Sequence, residues 1–487
     1  MSDSNRTPKV TVAQVLDLLR PEGFIDQRGR AWVTLEDGGR TRSFCGSQDG
    51  HALKTFVRRF LDERFGRGDD TSMVKEVLSA ALSRAELGSR RDVPVRLASL
   101  KERFYLDLGR HDGAVVEIAT SGWDIIAMPR ALTFERSTGM LPLPLPSGER
   151  RDLRTELSAV LGNDDEDTEV LSAAYLIGCM NPDIPVPVLE VVGPQGSAKT
   201  SFTGKLRNLV DPNIAPVRRV PKDERDLFII AANSWLVCFD NVSSLPAWFS
   251  DAACTLATGG GYATRKLYSD DQEMVIQVRR PVMVNSISEV VTRPDLRDRA
   301  LTIRLRRITA EQRLTEEEVW RSFCARQSHI LAALLDSVSE ALIFRDAANP
   351  PQLPRMADWF RWVVAASEGP SFGFPSGLFE QAYARNREMS REVAIDASPV
   401  GRHVLALMTE NSGSWSGTMT KLLNLLSRRA QESERRSPDW PKSPEALRHA
   451  IDRIAPDLAS GGLNITSGRS SGRNHERIAK LTLGGPQ

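Results

Sequence analysis

The chain has 487 residues, a formal net charge of +1, 41% hydrophobic and 26% charged residues. This is the composition of a globular protein long enough for roughly two to four domains. No apolar run reaches the roughly 18 residues of a membrane span, and the start MSDSNRTPKV lacks a signal-peptide layout. Five cysteines and six histidines lie far apart, which argues against a disulfide framework or a zinc site. We expect a cytoplasmic protein without membrane contact.

In chain order, the sequence predicts five regions. A capping box at Thr11 and Gln14 and a hairpin around Gly38-Gly39 open a small α+β region. Strands alternate with helical segments up to about residue 330, which is typical of an α/β fold with a parallel sheet flanked by helices. The regions are 1–100 (N-terminal α+β), 101–165 (β-rich connection), 166–315 (sheet domain), 316–398 (helical lid or bundle) and 399–487 (C-terminal domain).

A buried strand, a glycine-rich loop and a helix follow one another in the sheet domain. The strand VLEVV leads into Gly193-Pro194-Gln195-Gly196-Ser197-Ala198-Lys199-Thr200, and Ser201 continues into a helix-compatible stretch. Such a loop binds nucleotide phosphates through backbone N–H groups at a helix N-terminus. Residues 193–201 are therefore the predicted ATP-binding segment, with Lys199 on the β- and γ-phosphates and the Thr200 hydroxyl on Mg²⁺.

Ala198 stands where the phosphate-loop pattern has its last glycine. A left-handed backbone at this position would cost about 1–2 kcal/mol because of the methyl group, whereas a right-handed backbone would cost almost nothing. Taken alone, the loop has an alternative interpretation as a glycine-rich turn that binds nothing.

Two further apolar strands each end in a polar side chain. WLVCFDN leads to Asp240, and VMVNS contains Asn285. A carboxylate at the end of the neighbouring strand suits the magnesium side of a nucleotide site, and the Asn285 amide would orient water or sense the γ-phosphate. Asn241 follows Asp240 at a position where many ATPases with a phosphate-binding loop have a second acid, which activates the attacking water. Either Asp240 does both jobs, another acid approaches, or hydrolysis is slow.

Four segments together resemble superfamily 3 helicases and, more closely, the ATPase domains of primase-helicases from phages, plasmids and integrated elements. The segments are GPQGSAKT, SWLVCFDNVSSLP with SDAACTLATGGGYATRKLYSDD, RPVMVNSI, and RPDLRDRALTIRL. The resemblance implies an AAA+ type P-loop ATPase that forms a hexameric ring, with ATP at subunit interfaces and single-stranded DNA in the channel. It also implies an arginine supplied by the neighbouring subunit, at Arg299 or, failing that, at Arg297 or Arg293.

Two segments are candidate DNA contacts. The resemblance places a DNA-gripping hairpin at Arg265 and Lys266, which are equally well interpreted as solvated surface charges. Residues 421–487 contain twelve Lys or Arg against seven Asp or Glu, and three helices followed by a two-stranded ribbon predict a winged helix that contacts duplex DNA. The alternatives are that the winged helix contacts another protein, or that its basic face is simply solvated. The predicted contacts are Arg448 and Arg453 on the third helix and Arg469, Arg473 and Arg477 at the ribbon.

The favoured function is an ATP-dependent DNA helicase or translocase for the replication of a mobile element. The alternatives are a nucleotide-switched DNA-binding regulator or defence ATPase without unwinding activity, and an inactive scaffold that only holds nucleotide. Primase activity is not expected, because the region before residue 100 is short and has no convincing carboxylate-and-histidine constellation. A separate primase would then serve the same replication system.

Overall fold

A computed structural model describes residues 10–37, 40–162, 165–265, 273–437, 440–469 and 477–484. The chain forms two compact units. The first contains residues 1–288 and 303–379, and the second contains 289–302 and 380–487. The second unit thus combines a short stretch from the middle of the chain with the C-terminal region. Among the described helices, none is both long enough and apolar enough to cross a membrane.

The N-terminal region is a four-stranded sheet with helices packed on it. Its elements are α1 (Val12–Leu19), β1 (Glu22–Ile25), β2 (Ala31–Asp37), β3 (Arg40–Cys45), α2 (Gly50–Phe65), α3 (Thr71–Glu86) and β4 (Ser89–Arg90), with the strand order β3-β2-β1-β4. The capping box of Thr11 and Gln14 is confirmed. So is the antiparallel pairing of β2 with β3, although their turn at Gly38-Gly39 lies outside the described residues.

An antiparallel sheet follows, mostly within the region after residue 100 that the sequence predicts to be β-rich. Its strands pair in chain order and are β5 (Leu97–Leu100), β6 (Arg103–Asp107), β7 (Ala114–Ala119) and β8 (Gly122–Ala127). One buried cluster on this sheet contains Ala98, Tyr105 and Val115. Strand β6 is buried at four consecutive positions, from Phe104 to Asp107, so both of its faces are covered. A proline-rich stretch then leads to the main sheet.

The main sheet has the order β10-β13-β9-β14. The elements of this part are α4 (Leu153–Leu161), α5 (Glu166–Cys179), β9 (Val188–Val192), α6 (Lys199–Val210), α7 (Glu224–Ala232), β10 (Val237–Phe239), α8 (Ala247–Thr258), β11 (Gly261–Arg265), β12 (Glu273–Gln277), β13 (Val282–Ser286), α9 (Pro294–Arg297) and β14 (Ala300–Arg304). The pairs β10–β13 and β13–β9 are parallel, which confirms the predicted parallel sheet. Strands β11 and β12 pair antiparallel, as the predicted hairpin requires, although the residues that join them, 266–272, lie outside the described residues.

One expectation about this sheet was wrong. The strand that precedes Asp240, β10, is not the neighbour of β9, because β13 lies between them. The residues of β13 are all buried, since this strand has a neighbour on each side and helices against its faces. Asn285, at the end of β13, therefore lies between the loop after β9 and the residue after β10.

Helices complete the first unit. They are α10 (Glu316–Phe344), α11 (Ala357–Ser367) and a 3₁₀ turn (Pro370–Phe372). The next helix, α12 (Leu378–Ala397), belongs mostly to the second unit. Helix α10 begins with a capping box at Thr315 and Glu318. It packs against α4 and α11 through a buried stripe that includes Leu331 and Leu335.

The C-terminal part of the second unit has helices around a three-stranded sheet. Its elements are α13 (Pro399–Glu410), β15 (Ser414–Gly417), α14 (Met419–Arg429), α15 (Glu432–Arg436), α16 (Pro444–Ser460), β16 (Leu463–Arg469) and β17 (Arg477–Leu483), and its strand order is β15-β17-β16. The predicted ribbon is confirmed as β16 and β17. The sequence did not predict β15, whose four residues SWSG give little periodicity. The hydrophobic core of this C-terminal part includes Val404, Leu426 and Leu447.

Candidate functional site

The loop after β9 is shaped by two glycines. A methyl group on Gly193 would lie 2.5 Å from Ser197 Oγ and 2.8 Å from the Leu305 carbonyl oxygen, so only glycine fits there. Gly196 has a φ of +79°, which glycine adopts without strain. The Ser197 hydroxyl donates to the Pro194 carbonyl at 2.9 Å. Pro194 and Gln195 are exposed, so the loop is open to solvent along this stretch.

Ala198 adopts the left-handed conformation, with φ 56° and ψ 31°. The methyl group therefore carries the cost of about 1–2 kcal/mol that a glycine would avoid. Helix α6 begins at the next residue, and no side chain caps its N-terminus. The first N–H groups of a helix have no intrahelical partner and attract anions. Backbone N–H groups without a capping partner therefore lie where the loop meets the start of α6.

The Lys199 ammonium lies across this loop. Its Nζ donates to the carbonyl oxygens of Gly193, at 2.6 Å, and Pro194, at 3.0 Å. Partial burial lowers the pKa of Lys199 below its ordinary value, and the charge of Asp240 opposes this shift. The ammonium is thus held among the backbone groups of the loop, with a carboxylate near enough to affect it.

Thr200 and Asp240 approach each other at the end of the sheet. Thr200 Oγ1 donates to the carboxylate of Asp240, at 3.1 Å from Oδ1 and 3.3 Å from Oδ2. The Asp240 backbone N–H donates to the Arg218 carbonyl at 2.8 Å, which fixes the chain after β10. Mg²⁺ is usually held by one or two protein oxygens together with substrate phosphates. The hydroxyl and carboxylate fit that requirement, whereas the described residues contain no cluster of three or more His, Cys, Asp or Glu that would hold a metal by themselves.

Asn285 connects the ends of the strands through its side chain, which is fully buried. Its Oδ1 accepts from the Asn241 backbone N–H at 2.8 Å, and its Nδ2 donates to Thr203 Oγ1 at 3.1 Å. Thr203 in turn donates to the Lys199 carbonyl at 2.9 Å. Asn285 thus positions both the segment after β10 and the first turn of α6.

Arg293, Arg297 and Arg299 are the candidates for the arginine that would act in a neighbouring subunit. All three lie in the second unit, and their side chains differ in exposure. Arg299 Nη1 donates to the Asp295 carbonyl at 2.9 Å and pairs with its carboxylate, and 13% of the Arg299 side chain is exposed. Arg297 is buried in an ion pair with Asp457. Arg293 is exposed at the N-cap of α9. The buried pair leaves Arg297 poorly placed to reach another subunit.

Most of the candidate DNA contacts fall where side chains are not described. Arg448 and Arg453 are exposed on α16, and Arg448 lies 3.7 Å from the Asp452 carboxylate. Lys266 and Arg473 lie outside the described residues. The side chains of Arg265, Arg469 and Arg477 also lie outside them, although their backbones belong to β11, β16 and β17.

Sequence reasoning missed Thr203 and two arginines, Arg307 and Arg313, whose guanidinium groups lie beside Gly196. Thr203 had a usable signal, because it follows Lys199 by one helical turn and so faces the same side of α6. The arginines had none, since they lie in a segment without periodicity beyond β14.

Two family models match the chain. Residues 156–370 match the actinomycete integrative conjugative element replication protein, and residues 400–486 match the AICE RepA C-terminal domain. The first match contains Lys199, Asp240 and Asn285, and between them the two models cover more than half of the chain. Together they identify a replication protein of an integrative conjugative element.

Solved structures show more distant similarity. One described as "SCCmec type IV Cch - active helicase" is 10% identical with a TM-score of 0.49, covering 95% of this chain and 93% of that one. An apo structure of the NrS-1 C-terminal region is 12% identical with a TM-score of 0.42, covering 98% and 99% of the two chains. No curated protein matches this chain.

Proposed function

We propose that this replication protein is an ATP-dependent DNA helicase or translocase of the superfamily 3, AAA+ type. The approach of the Thr200 hydroxyl to the Asp240 carboxylate, at 3.1 Å, carries the proposal. It joins a metal-binding pair to an uncapped helix N-terminus and a lysine ammonium in one place. Hydrolysis of a nucleoside triphosphate requires groups that bind its phosphates and groups that hold a metal ion beside them.

In this account the backbone N–H groups of residues 196–201 bind the phosphate chain, and Lys199 exchanges its carbonyl partners for the β- and γ-phosphates. Thr200 and Asp240 hold Mg²⁺, which when bound neutralises charge that develops on the transferred phosphoryl group. Asn285 maintains the geometry through Asn241 and Thr203. Asn241 cannot accept a proton from the attacking water, so Asp240 is the nearest acid in sequence for that role.

Assembly completes the proposed site. Arg299 of a neighbouring subunit would stabilise the transition state, an effect of about 10³ to 10⁵ in rate in other nucleotide hydrolases. Arg299 would have to leave Asp295 for the incoming phosphate, and Asp295 itself is largely exposed. Mixing inactive Lys199→Ala and Arg299→Ala proteins tests this, because a hexameric ring with shared sites would regain part of its turnover. A mixture as inactive as its two components would contradict shared sites.

DNA binding is proposed for two parts of the chain. The C-terminal helices and ribbon would form a winged helix that presents α16 to duplex DNA, with Arg448 and Arg453 as contacts. The β11–β12 hairpin would contact single-stranded DNA in the channel of the ring. Release of counterions predicts that log K falls by about 0.7 per phosphate contact for each unit of log salt on single strands.

Strand separation on a forked duplex tests the whole proposal. We expect unwinding that requires Mg²⁺ and hydrolysable ATP and that is absent with a non-hydrolysable analogue and in Lys199→Ala. Salt-sensitive DNA binding without strand separation under any nucleotide condition would contradict it.

A second function is favoured by one observation. Asn241 occupies the position after Asp240, is exposed, and donates its N–H to Asn285. A site with an amide there suits a nucleotide-switched DNA-binding regulator, in which hydrolysis resets a state slowly and does no unwinding. DNA affinity that differs between ATP and ADP, with turnover that DNA does not accelerate, would favour this function.

A further inference from the structure

Two arginines beyond β14 approach the loop after β9 from the same chain. A methyl group built on Gly196 would lie 3.8 Å from Nη2 of Arg313 and 4.0 Å from Nε of Arg307. Both side chains belong to exposed residues. Two guanidinium groups therefore face the part of the loop that precedes Lys199.

Backbone hydrogen bonds fix the segment that carries Arg307. The Ile308 N–H donates to the Gly196 carbonyl at 3.1 Å, and the Leu305 N–H donates to the Val192 carbonyl at 2.7 Å. These bonds attach the residues on both sides of Arg307 to the beginning and the middle of the loop. Backbone pairing therefore fixes the position of the Arg307 backbone beside the loop.

Neither guanidinium has a protein partner among the described residues. Within the described part of the chain, the guanidinium groups of Arg307 and Arg313 form no hydrogen bond or ion pair. Arg306, between Leu305 and Arg307, instead lies 3.9 Å from the carboxylate of Asp165. Like charges that are held close together repel one another, and Lys199 adds a third positive charge to the same loop. An anion at the loop would turn this repulsion into attraction.

We propose that Arg307 and Arg313 bind the phosphate chain of the nucleotide held by this loop, on the Gly196 side and from within the same subunit. The proposal rests on the proposed nucleotide site and adds two binding residues to it. Guanidinium groups present paired N–H donors that match phosphate oxygens. The ligand class is a nucleoside di- or triphosphate, because Gly196 lies in the loop body and ADP and ATP share the phosphates next to it.

The role is binding rather than chemistry. Contacts made equally in the ground state and the transition state raise affinity without changing the rate of the bound complex. Removing both arginines should therefore raise KM for ATP and leave kcat unchanged, in contrast with removal of Asp240.

Calorimetric titration of ADP and ATP with Mg²⁺ tests the proposal in the full chain. The test protein is Arg307→Ala/Arg313→Ala, and the matched control is Arg306→Ala, whose side chain is 81% exposed on the same segment. We expect the double variant to bind both nucleotides about tenfold more weakly, the loss typical of charge-assisted hydrogen bonds, and the control to stay within about twofold of the wild type. Unfolding midpoints should be unchanged, since exposed side chains contribute little to stability.

Equal affinities in the double variant and Arg306→Ala would overturn the proposal. So would a double variant that loses DNA binding while its nucleotide affinity stays the same. Lys199→Ala separates this failure from that of the underlying site. If Lys199→Ala weakens nucleotide binding and the double variant does not, only the arginine assignment fails. If wild type binds neither nucleotide, the proposed site and this inference fail together.

Discussion

Thr200 and Asp240 are hydrogen-bonded at 3.1 Å although 40 residues separate them in the sequence. One lies in the first turn of α6, and the other follows β10, two strand positions away from β9 in the sheet. Their meeting depends on the order of the strands, with β13 between β9 and β10. The hydroxyl and carboxylate oxygens thus share one small volume at the end of the sheet.

The metal assignment predicts a separation of binding from turnover. Asp240→Asn keeps the shape of the side chain but removes the charge that would hold Mg²⁺, so turnover should fall by at least about 100-fold. Affinity for ATP without Mg²⁺ should remain within about twofold. Thr200→Ser, which retains the hydroxyl, should keep more activity than Thr200→Ala. Asp226→Asn, at an exposed position on α7, is the control, and equal turnover in it and in Asp240→Asn would contradict the assignment.

Asn285 predicts a loss of stability as well as of activity. Asn285→Ala leaves the Asn241 N–H without its acceptor and Thr203 without its donor, which should cost about 1–3 kcal/mol in the free energy of unfolding. Chemical denaturation measures this cost. Asn208→Ala is the control, because the Asn208 side chain donates within its own helix, to the Gly204 carbonyl. If both substitutions cost the same, the bridging role of Asn285 is wrong.

The Arg297–Asp457 ion pair joins the stretch before β14 to α16 within the second unit. Arg297→Met leaves the buried Asp457 carboxylate unpaired and should destabilise this unit by about 3–5 kcal/mol, while Arg297→Met/Asp457→Leu should recover most of that loss. The exposed Arg448–Asp452 pair on the same helix should contribute less than about 1 kcal/mol. Denaturation in which Arg297→Met costs no more than Arg448→Met would contradict this account.

The pKa of Lys199 predicts a pH dependence of nucleotide binding. Burial lowers the pKa of the free ammonium, and phosphates bind the charged form. Affinity should therefore be constant below this pKa and fall as pH rises through it, earlier than an ordinary lysine pKa of about 10.4 would give. Lys199→Arg, which stays charged, should remove this alkaline decline. ATP titrations across the alkaline range measure it, and identical profiles for wild type and Lys199→Arg would contradict the role of Lys199.

Part of this architecture could be predicted because it is local. The strand, loop and helix around Gly193 to Thr200 are adjacent in sequence, and Asp240 and Asn285 each end an apolar run. The order of the strands could not be predicted, since β-periodicity identifies a strand without naming its partner. The left-handed backbone of Ala198 also depends on the tertiary structure, because alanine permits either conformation.

Contacts between distant segments explain the other differences. Arg297 is one of three arginines within a short stretch, and nothing in that stretch indicates that Asp457 buries it. Arg307 and Arg313 became candidates only because the backbone of Leu305 and Ile308 pairs with the loop after β9. Thr203 differs from them, because its place one helical turn after Lys199 was visible in the sequence, while its contact with Asn285 depends on β13.

Steady-state ATP turnover, with and without single-stranded DNA, tests the central claim most directly when wild type is compared with Lys199→Ala and with Lys222→Ala, an exposed lysine outside the loop. We predict Mg²⁺-dependent turnover in wild type that single-stranded DNA increases, the same behaviour in Lys222→Ala, and no turnover in Lys199→Ala. Turnover in Lys199→Ala equal to that of the wild type would show that nucleotide chemistry does not occur at this loop.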